Sequence, residues 1–145
     1  MVIEEALLIK ADIRQIWETF TDLTAWPGWN TVAAHASSDS GRLEQGQTFT
    51  FTLRMFAVPI RLELTVDEVV PCERVVWSGS LFLISSDHAF LFQQAANGVL
   101  VTSRETFRGL PMLLSSPAFP KNKVRDLTVT MLADLKKAAE TKNGR

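Results

Sequence analysis

His88 and Glu105 are the two side chains in this sequence whose types and spacing best suit acid–base chemistry. The predicted strands that carry them are joined by Ala95-Ala96-Asn97-Gly98, a sequence typical of tight turns. If these residues form the loop, Gln94 faces Val99 and the antiparallel register places His88 opposite Glu105. An imidazole beside a carboxylate is half of the arrangement that enzymes use for general acid–base catalysis.

The face of the sheet that carries this pair is otherwise apolar, so we expect it to look inward. Period-two alternation adds these residues to the same face: Phe90, Phe92, Val101, Ser103 and Phe107. A buried polar group without a partner costs about 1–3 kcal/mol, so pairing is also what burial alone would require. We therefore favour a structural or cavity-lining role for His88 and Glu105 over a catalytic one. We see no sequence motif around the pair that suggests a nucleophilic triad.

The N-terminal elements follow from hydrophobic patterning. Residues Ile3–Lys10 are apolar enough for a strand, and Asp12 with Gln15 three residues later resembles a capping box at the start of a helix. Pro27 and Gly28 end this helical region, so it is short. Its buried face is predicted to comprise Ile13, Ile16, Trp17 and Phe20.

The middle of the chain, residues 31–107, has mostly period-two alternation. Thr48–Leu53 and Ile60–Asp67 alternate polar and apolar residues, as strands with one wet and one dry face do. About six such strands follow one another through short links with no helix between them. The sequence therefore predicts an antiparallel meander.

A long C-terminal helix completes the predicted fold. Apolar residues recur every three or four positions at Val124, Leu127, Met131, Leu135 and Ala138. Because proline disrupts a helix interior, we expect this helix to begin at about Pro120, after a short turn near Leu110–Ser116. A sheet of this length with one apolar face must curl around something, and this helix is the available element. The prediction is an α+β fold with a wedge between helix and sheet.

That wedge is the candidate ligand site, either filled or hollow. The residues expected to bind a ligand there are Trp29, Phe49, Phe51, Leu62, Leu64, Trp77, His88, Phe90, Phe92, Ser103, Glu105, Leu127 and Met131. Apolar residues in predicted connections indicate a cavity rim, a dimer contact or a lid. These are Met55, Phe56, Met112, Leu113 and Leu114.

Composition disfavours several classes of function. Lys and Arg number 15 against 16 Asp and Glu, without a basic stripe, so we expect no nucleic-acid partner. The single cysteine, Cys72, excludes an internal disulfide and a cysteine-based zinc cluster. Since the only histidines are His35 and His88 and no metal-ligand spacing occurs, we expect no metal and no other cofactor.

The N-terminal sequence, residues 1–10, has acidic residues where a signal peptide would have basic ones. The apolar runs of the chain are shorter than the roughly 20 residues that cross a bilayer. We therefore expect a cytoplasmic protein without an integral membrane segment.

The order of several short strings along nearly the whole chain resembles START-like (SRPBCC) proteins of the polyketide cyclase/dehydrase type. The strings are Ile9-Lys10-Ala11-Asp12, Ile16-Trp17, Asp22, Trp26-Pro27-x-Trp29-Asn30, Val75-x-Trp77-x-Gly79, His88-x-Phe90 and Glu105-x-Phe107-x-Gly109. The resemblance implies a helix-grip fold, in which a seven-stranded curved antiparallel sheet wraps a long C-terminal helix and two short helices follow the first strand. It also implies that residues 1–145 form a single ligand-binding domain. Pro117 and Pro120 depart from the usual pattern of the group before the long helix.

Members of that group differ in function, so three hypotheses remain. The resemblance implies relatives that bind lipids, hormones or aromatic polyketides, others that catalyse cyclisation or dehydration, and others that stimulate a chaperone ATPase. We favour a non-catalytic protein that binds a small hydrophobic molecule. The first alternative is a polyketide cyclase or dehydratase that uses His88 and Glu105 as its acid–base pair. The second is a protein-interaction module with a closed cavity. A homodimer is compatible with each.

Overall fold

A computed structural model describes residues 1–54 and 58–143, so the predictions for Met55 and Phe56 lie outside the described residues. A first strand is followed by a helix and a 3₁₀ helix, then by six strands and two further helices. Their bounds are β1 Val2–Ile9, α1 Ile13–Thr21, the 3₁₀ helix Leu23–Gly28, β2 Ala33–Ser37, β3 Thr48–Leu53, β4 Ile60–Val70, β5 Arg74–Leu81, β6 Ile84–Ala95, β7 Gly98–Arg108, α2 Pro111–Leu114 and α3 Lys121–Asn143.

The seven strands form one antiparallel sheet in the order β1-β7-β6-β5-β4-β3-β2. Strands β2 to β7 are a meander, and β1 pairs with β7. The α+β helix-grip fold is thereby confirmed. The buried face of α3 shares one hydrophobic core with the inward face of the strands, and it contributes Met131, Leu132, Leu135 and Ala139.

Helix α1 begins at the predicted cap, but its capping box is absent. The Asp12 carboxylate accepts hydrogen bonds from the backbone N–H groups of Arg14 and Gln15, at 2.9 and 3.3 Å. The Gln15 side chain does not return to the cap. It donates to the carbonyl of Ala139 on α3, at 3.2 Å, because that side of α1 faces the long helix. The expected capping box was wrong, and Gln15 instead joins α1 to α3.

Polar contacts hold α3 against the strands. The Lys136 ammonium donates to the carbonyl of Leu8 at 3.0 Å, and the Glu140 carboxylate accepts from the backbone N–H of Lys10 at 2.8 Å. Nearer the middle of the helix, Asp134 accepts from both the N–H and the hydroxyl of Thr31. These bonds anchor the C-terminal half of α3.

Two hairpin turns determine the register on either side of β6. At one end, Ala95 pairs with Gly98, so the loop between β6 and β7 has two residues instead of the expected four. The predicted pairing of Gln94 with Val99 is retained. At the other end, Phe82 and Leu83 form a two-residue turn with φ angles of 51° and 65°. Such turns favour Asn-Gly, and the left-handed region costs a bulky L-residue about 1–2 kcal/mol.

Gly98 is required where β7 begins, and this generates a stability prediction. Its φ is 150°, and an added Cβ would lie 2.5 Å from the carbonyl oxygen of Ile9 on the paired strand. We expect Gly98→Ala to lower the free energy of unfolding by about 2–4 kcal/mol, measured by urea denaturation. The control is Gly28→Ala, because no atom lies within 4 Å of the added Cβ there. Equal midpoints for the two variants would contradict this account.

Candidate functional site

The concave side of the sheet and α3 enclose a cavity of about 490 Å³. It lies beneath the first half of α3 and is lined mainly by apolar side chains. Ten of the residues predicted from the sequence lie in its wall: Phe51, Leu62, Leu64, Trp77, His88, Phe90, Ser103, Glu105, Leu127 and Met131. Their placement supports the predicted ligand site, and their contact with a ligand stays a prediction.

Three other predicted residues lie outside this wall. Phe49 packs edge-on against Trp77 with ring centroids 5.1 Å apart, and Phe92 packs in the same way against Trp17 at 5.2 Å. Trp29 packs against the neighbouring Trp26 at 5.8 Å. Alternation identified the inward face correctly for Phe49 and Phe92, but it carries no information about depth. Both lie towards the end of the sheet that α1 fills with side chains.

Other wall residues were not among the predicted ligand-binding residues. They include Trp26, Leu53, Ile60, Ser86, Phe119, Val124 and Thr128. Ser86 had a usable signal, because it lies two positions before His88 and so shares its face. Phe119 had none, since it belongs to the segment between α2 and α3 and reaches the wall by packing on Phe107 at 5.2 Å.

His88 is held on the cavity wall by β6 and its two neighbouring strands. The register pairs it with Glu105 on β7, as predicted, and with Trp77 on β5. Its ring stacks on Phe90 with centroids 4.3 Å apart. Its Nε2 atom lies 2.7 Å from the hydroxyl oxygen of Ser103, which is within hydrogen-bond distance. These contacts fix the orientation of the imidazole.

Glu105 contacts His88 without forming a direct hydrogen bond. The distance from Glu105 Oε1 to His88 Nδ1 is 3.8 Å. Burial lowers the pKa of His88 to about 3, because the imidazolium would lose hydration in this apolar wall. Burial also raises the pKa of Glu105 to about 7, and a hydrogen bond with Ser86 opposes this rise. At neutral pH a neutral imidazole therefore adjoins a carboxyl group that is close to its titration point, a state suited to proton transfer.

Ser103 brings a hydroxyl to the imidazole, although the sequence suggested no triad. Its side chain is fully buried in the cavity wall, with its hydroxyl oxygen 2.7 Å from His88 Nε2. This contact favours Ser103 as a group that orients His88. Over residues 1–54 and 58–143, no cluster of three His, Cys, Asp or Glu side chains could hold a metal ion.

The fold and this cavity define a helix-grip protein with a ligand-sized interior. The chain belongs to the polyketide cyclase / dehydrase and lipid transport family, whose model matches residues 2–140. This confirms the family resemblance proposed from the sequence. No curated protein matches the chain with significant similarity. Within the described part of the chain, no helix is long and apolar enough to cross a membrane.

Solved structures with low sequence identity share the fold. The di-domain ARO/CYC StfQ from the steffimycin biosynthetic pathway is 14% identical, with a TM-score of 0.81 over 99% of this chain. The match covers 52% of StfQ, so this chain spans about half of its length. The KanY protein is 18% identical, with a TM-score of 0.78 over 97% of each chain. A hypothetical protein from Helicobacter pylori is 18% identical, with a TM-score of 0.74 over 95% of this chain and 86% of its own.

The order of the pKa values of His88 and Glu105 in the folded chain is the reverse of that in the unfolded chain, and this predicts a specific pH dependence of stability. In the unfolded chain the imidazole titrates near 6.5 and the carboxyl near 4.5, whereas the folded pKa values are about 3 and about 7. Between pH 4.5 and 6.5 the pair holds one proton in the unfolded chain, on the imidazole, and one proton in the folded chain, on the carboxyl group. The pair therefore adds no pH dependence there.

Single substitutions expose the two opposing contributions. In Glu105→Gln only His88 remains, its folded pKa is depressed, and stability should fall as the pH drops below 6.5. In His88→Asn only Glu105 remains, its folded pKa is raised, and stability should fall as the pH rises from 4.5 to 7. Each slope is at most about 1.4 kcal/mol per pH unit, measured by urea denaturation relative to the wild type. Variants whose profiles run parallel to the wild type would refute these protonation states.

Proposed function

We propose that this protein binds a small hydrophobic molecule in the cavity between its sheet and α3. The observation that carries the proposal is the cavity itself, which is largely apolar and about 490 Å³ in volume. Pockets that bury small organic ligands have volumes of about 300–1,000 Å³ and few polar groups. Family membership supports the same conclusion, because the matching model covers polyketide cyclases, dehydrases and lipid transport proteins.

The polar groups of the wall restrict the ligand that we propose. Ser86, His88 and Glu105 lie together on β6 and β7, whereas α3 presents Val124, Leu127 and Met131 opposite. A charged ligand would lose its hydration among these side chains with at most a partly ionised Glu105 as its counter-charge, because His88 is neutral at neutral pH. We therefore infer an uncharged, mainly apolar molecule with one hydrogen-bonding group directed at this polar cluster.

A cyclase or dehydratase is the second candidate, supported by the pKa of Glu105, which is raised to about 7. With Nε2–H donating to Ser103, His88 Nδ1 would keep its lone pair to accept a substrate proton adjacent to a carbonyl. The carboxylic acid of Glu105 would donate its proton to the departing hydroxyl, which leaves as water. We favour the non-catalytic function, since the remaining wall is apolar and offers few groups to stabilise an enolate.

A hollow interior argues against the interaction module with a closed cavity.

Filling the cavity should weaken binding. We expect Leu127→Trp, which projects a larger side chain from α3 into the cavity, to weaken binding of a neutral fluorescent probe such as 1-aminoanthracene by about tenfold or more. The matched control is Val129→Trp, because Val129 is exposed on the same helix. Fluorescence titration measures both affinities. Equal probe affinity in the two variants would place the bound molecule outside the cavity.

The substitution Glu105→Gln separates the two candidate functions, because it retains the shape and removes the titrating proton. For a binding protein we expect ligand affinity to change less than about threefold, since one neutral hydrogen-bonding group replaces another. For a dehydratase, turnover of a β-hydroxyketone should fall by about 10²–10⁴-fold while affinity is retained. Mass spectrometry of the products measures turnover. Such a loss would reject the non-catalytic function.

A further inference from the structure

The cavity opens towards one end of the sheet, and the strand connections at that end expose large apolar side chains. In an antiparallel meander alternate connections lie at the same end. The ends of β3, β5 and β7 therefore adjoin the starts of β4, β6 and α3, and we call this the mouth end. Its exposed apolar residues, which we call the mouth surface, are Val58, Phe82, Leu83, Leu110 and Met112.

These side chains protrude into solvent at turn tips. Phe82 is 81% exposed and Leu83 is 82% exposed, although both have positive φ angles that disfavour bulky residues. A carbonyl of the same turn lies 3.0 Å from the Cβ position of Gly109, so the β5–β6 turn and the segment after β7 are in contact. The five residues thus form neighbouring apolar points around the cavity mouth, which Leu81, Phe82 and Phe119 also line.

The charged residues in the three segments that form the mouth end are all basic. Residues 51–62, 79–86 and 106–123 contain five basic residues and no acidic residue. The basic residues, all exposed, are Arg54, Arg61, Arg108, Lys121 and Lys123. Just beyond these segments, Asp87 pairs with Arg108 at 2.5 Å, and Glu63 is exposed on β4. At the opposite end, residues 67–74, which run from the end of β4 to the start of β5, contain three acidic residues and one arginine.

We propose that the mouth surface docks on an anionic lipid bilayer. Apolar side chains at separate turn tips suit insertion between lipid headgroups, and the surrounding basic residues match the negative charge of the bilayer surface. Docking there directs the cavity mouth at the hydrocarbon region, from which an apolar molecule can enter without crossing water. The docking rests on the exposed residues alone and does not depend on which molecule the cavity binds.

The apolar contribution is tested by flotation of the protein with vesicles of phosphatidylcholine and phosphatidylglycerol in equal parts. The double variant Phe82→Asn/Leu83→Gly introduces the residues that its turn geometry favours, so we expect the same or greater thermal stability. We also expect its vesicle affinity to fall about tenfold or more. Val129→Ser removes an exposed apolar side chain from the middle of α3 and should bind vesicles like the wild type.

The electrostatic contribution is tested separately. Lys121→Gln/Lys123→Gln should lower affinity for the same vesicles by about thirtyfold, since each basic residue near an anionic surface contributes about 1 kcal/mol. The control is Lys137→Gln, an exposed lysine towards the other end of α3. Wild-type binding should also be lost on pure phosphatidylcholine vesicles and at ~1 M salt.

Two results would overturn the proposal. One is a wild-type protein that does not float with phosphatidylglycerol vesicles, or mouth variants that float as well as the controls. The other is self-association in sedimentation analysis that the Phe82→Asn/Leu83→Gly variant abolishes, without vesicle binding by the wild type. That result would assign the mouth surface to a second copy of the chain.

Discussion

The ladder between β6 and β7 determines what the cavity wall is made of. Alternate side chains on these strands face inward, so the register that pairs His88 with Glu105 also pairs Phe90 with Ser103. A shift of β7 by one residue would turn Ser103 and Glu105 outward and bring the exposed Arg104 into the wall. The turn at Gly98 prevents such a shift, because the backbone there passes too close to Ile9 for any Cβ. The close approach of Gly98 to Ile9 thus positions the polar groups of the site, although Gly98 lies more than about 20 Å along β7 from the mouth.

Unequal filling of the two ends of the sheet explains why a cavity exists. At the closed end, α1 inserts Phe20 among Trp77 and Phe90, with ring centroids 6.0 and 4.7 Å apart. The hydrogen bonds of Lys136 and Glu140 hold the C-terminal half of α3 down at this end. Towards the mouth, among the described residues, the sheet is covered by the start of α3 and the segment before it, which includes the short α2. The wedge is therefore packed at one end and hollow at the other.

Sequence periodicity predicted the antiparallel meander, the long helix and the facing positions of His88 and Glu105, because each depends on local patterns of two or three to four residues. It did not predict that β1 pairs with β7. It did not predict that Phe49 and Phe92 lie outside the cavity wall, since depth along the wedge depends on where α1 docks. The bond between Gln15 and Ala139 likewise joins segments far apart in the chain. Nor did the pattern show whether attraction between His88 and Glu105 or their burial has the larger effect on their pKa values. The structure favours burial, because Glu105 is 3.8 Å from the imidazole while both groups are largely removed from water.

Occupancy of the cavity is tested most directly by NMR of the protein labelled with ¹³C at its methionine methyl groups. Met131 lines the cavity on α3, whereas Met1 begins the chain beside β7 and outside the cavity wall. Titration with a panel of neutral apolar aromatic compounds should shift the Met131 methyl resonance to saturation and leave that of Met1 unchanged. Leu127→Trp should abolish the Met131 shift. A Met131 resonance that no compound moves, or one that moves equally in the filled variant, would contradict binding in this cavity.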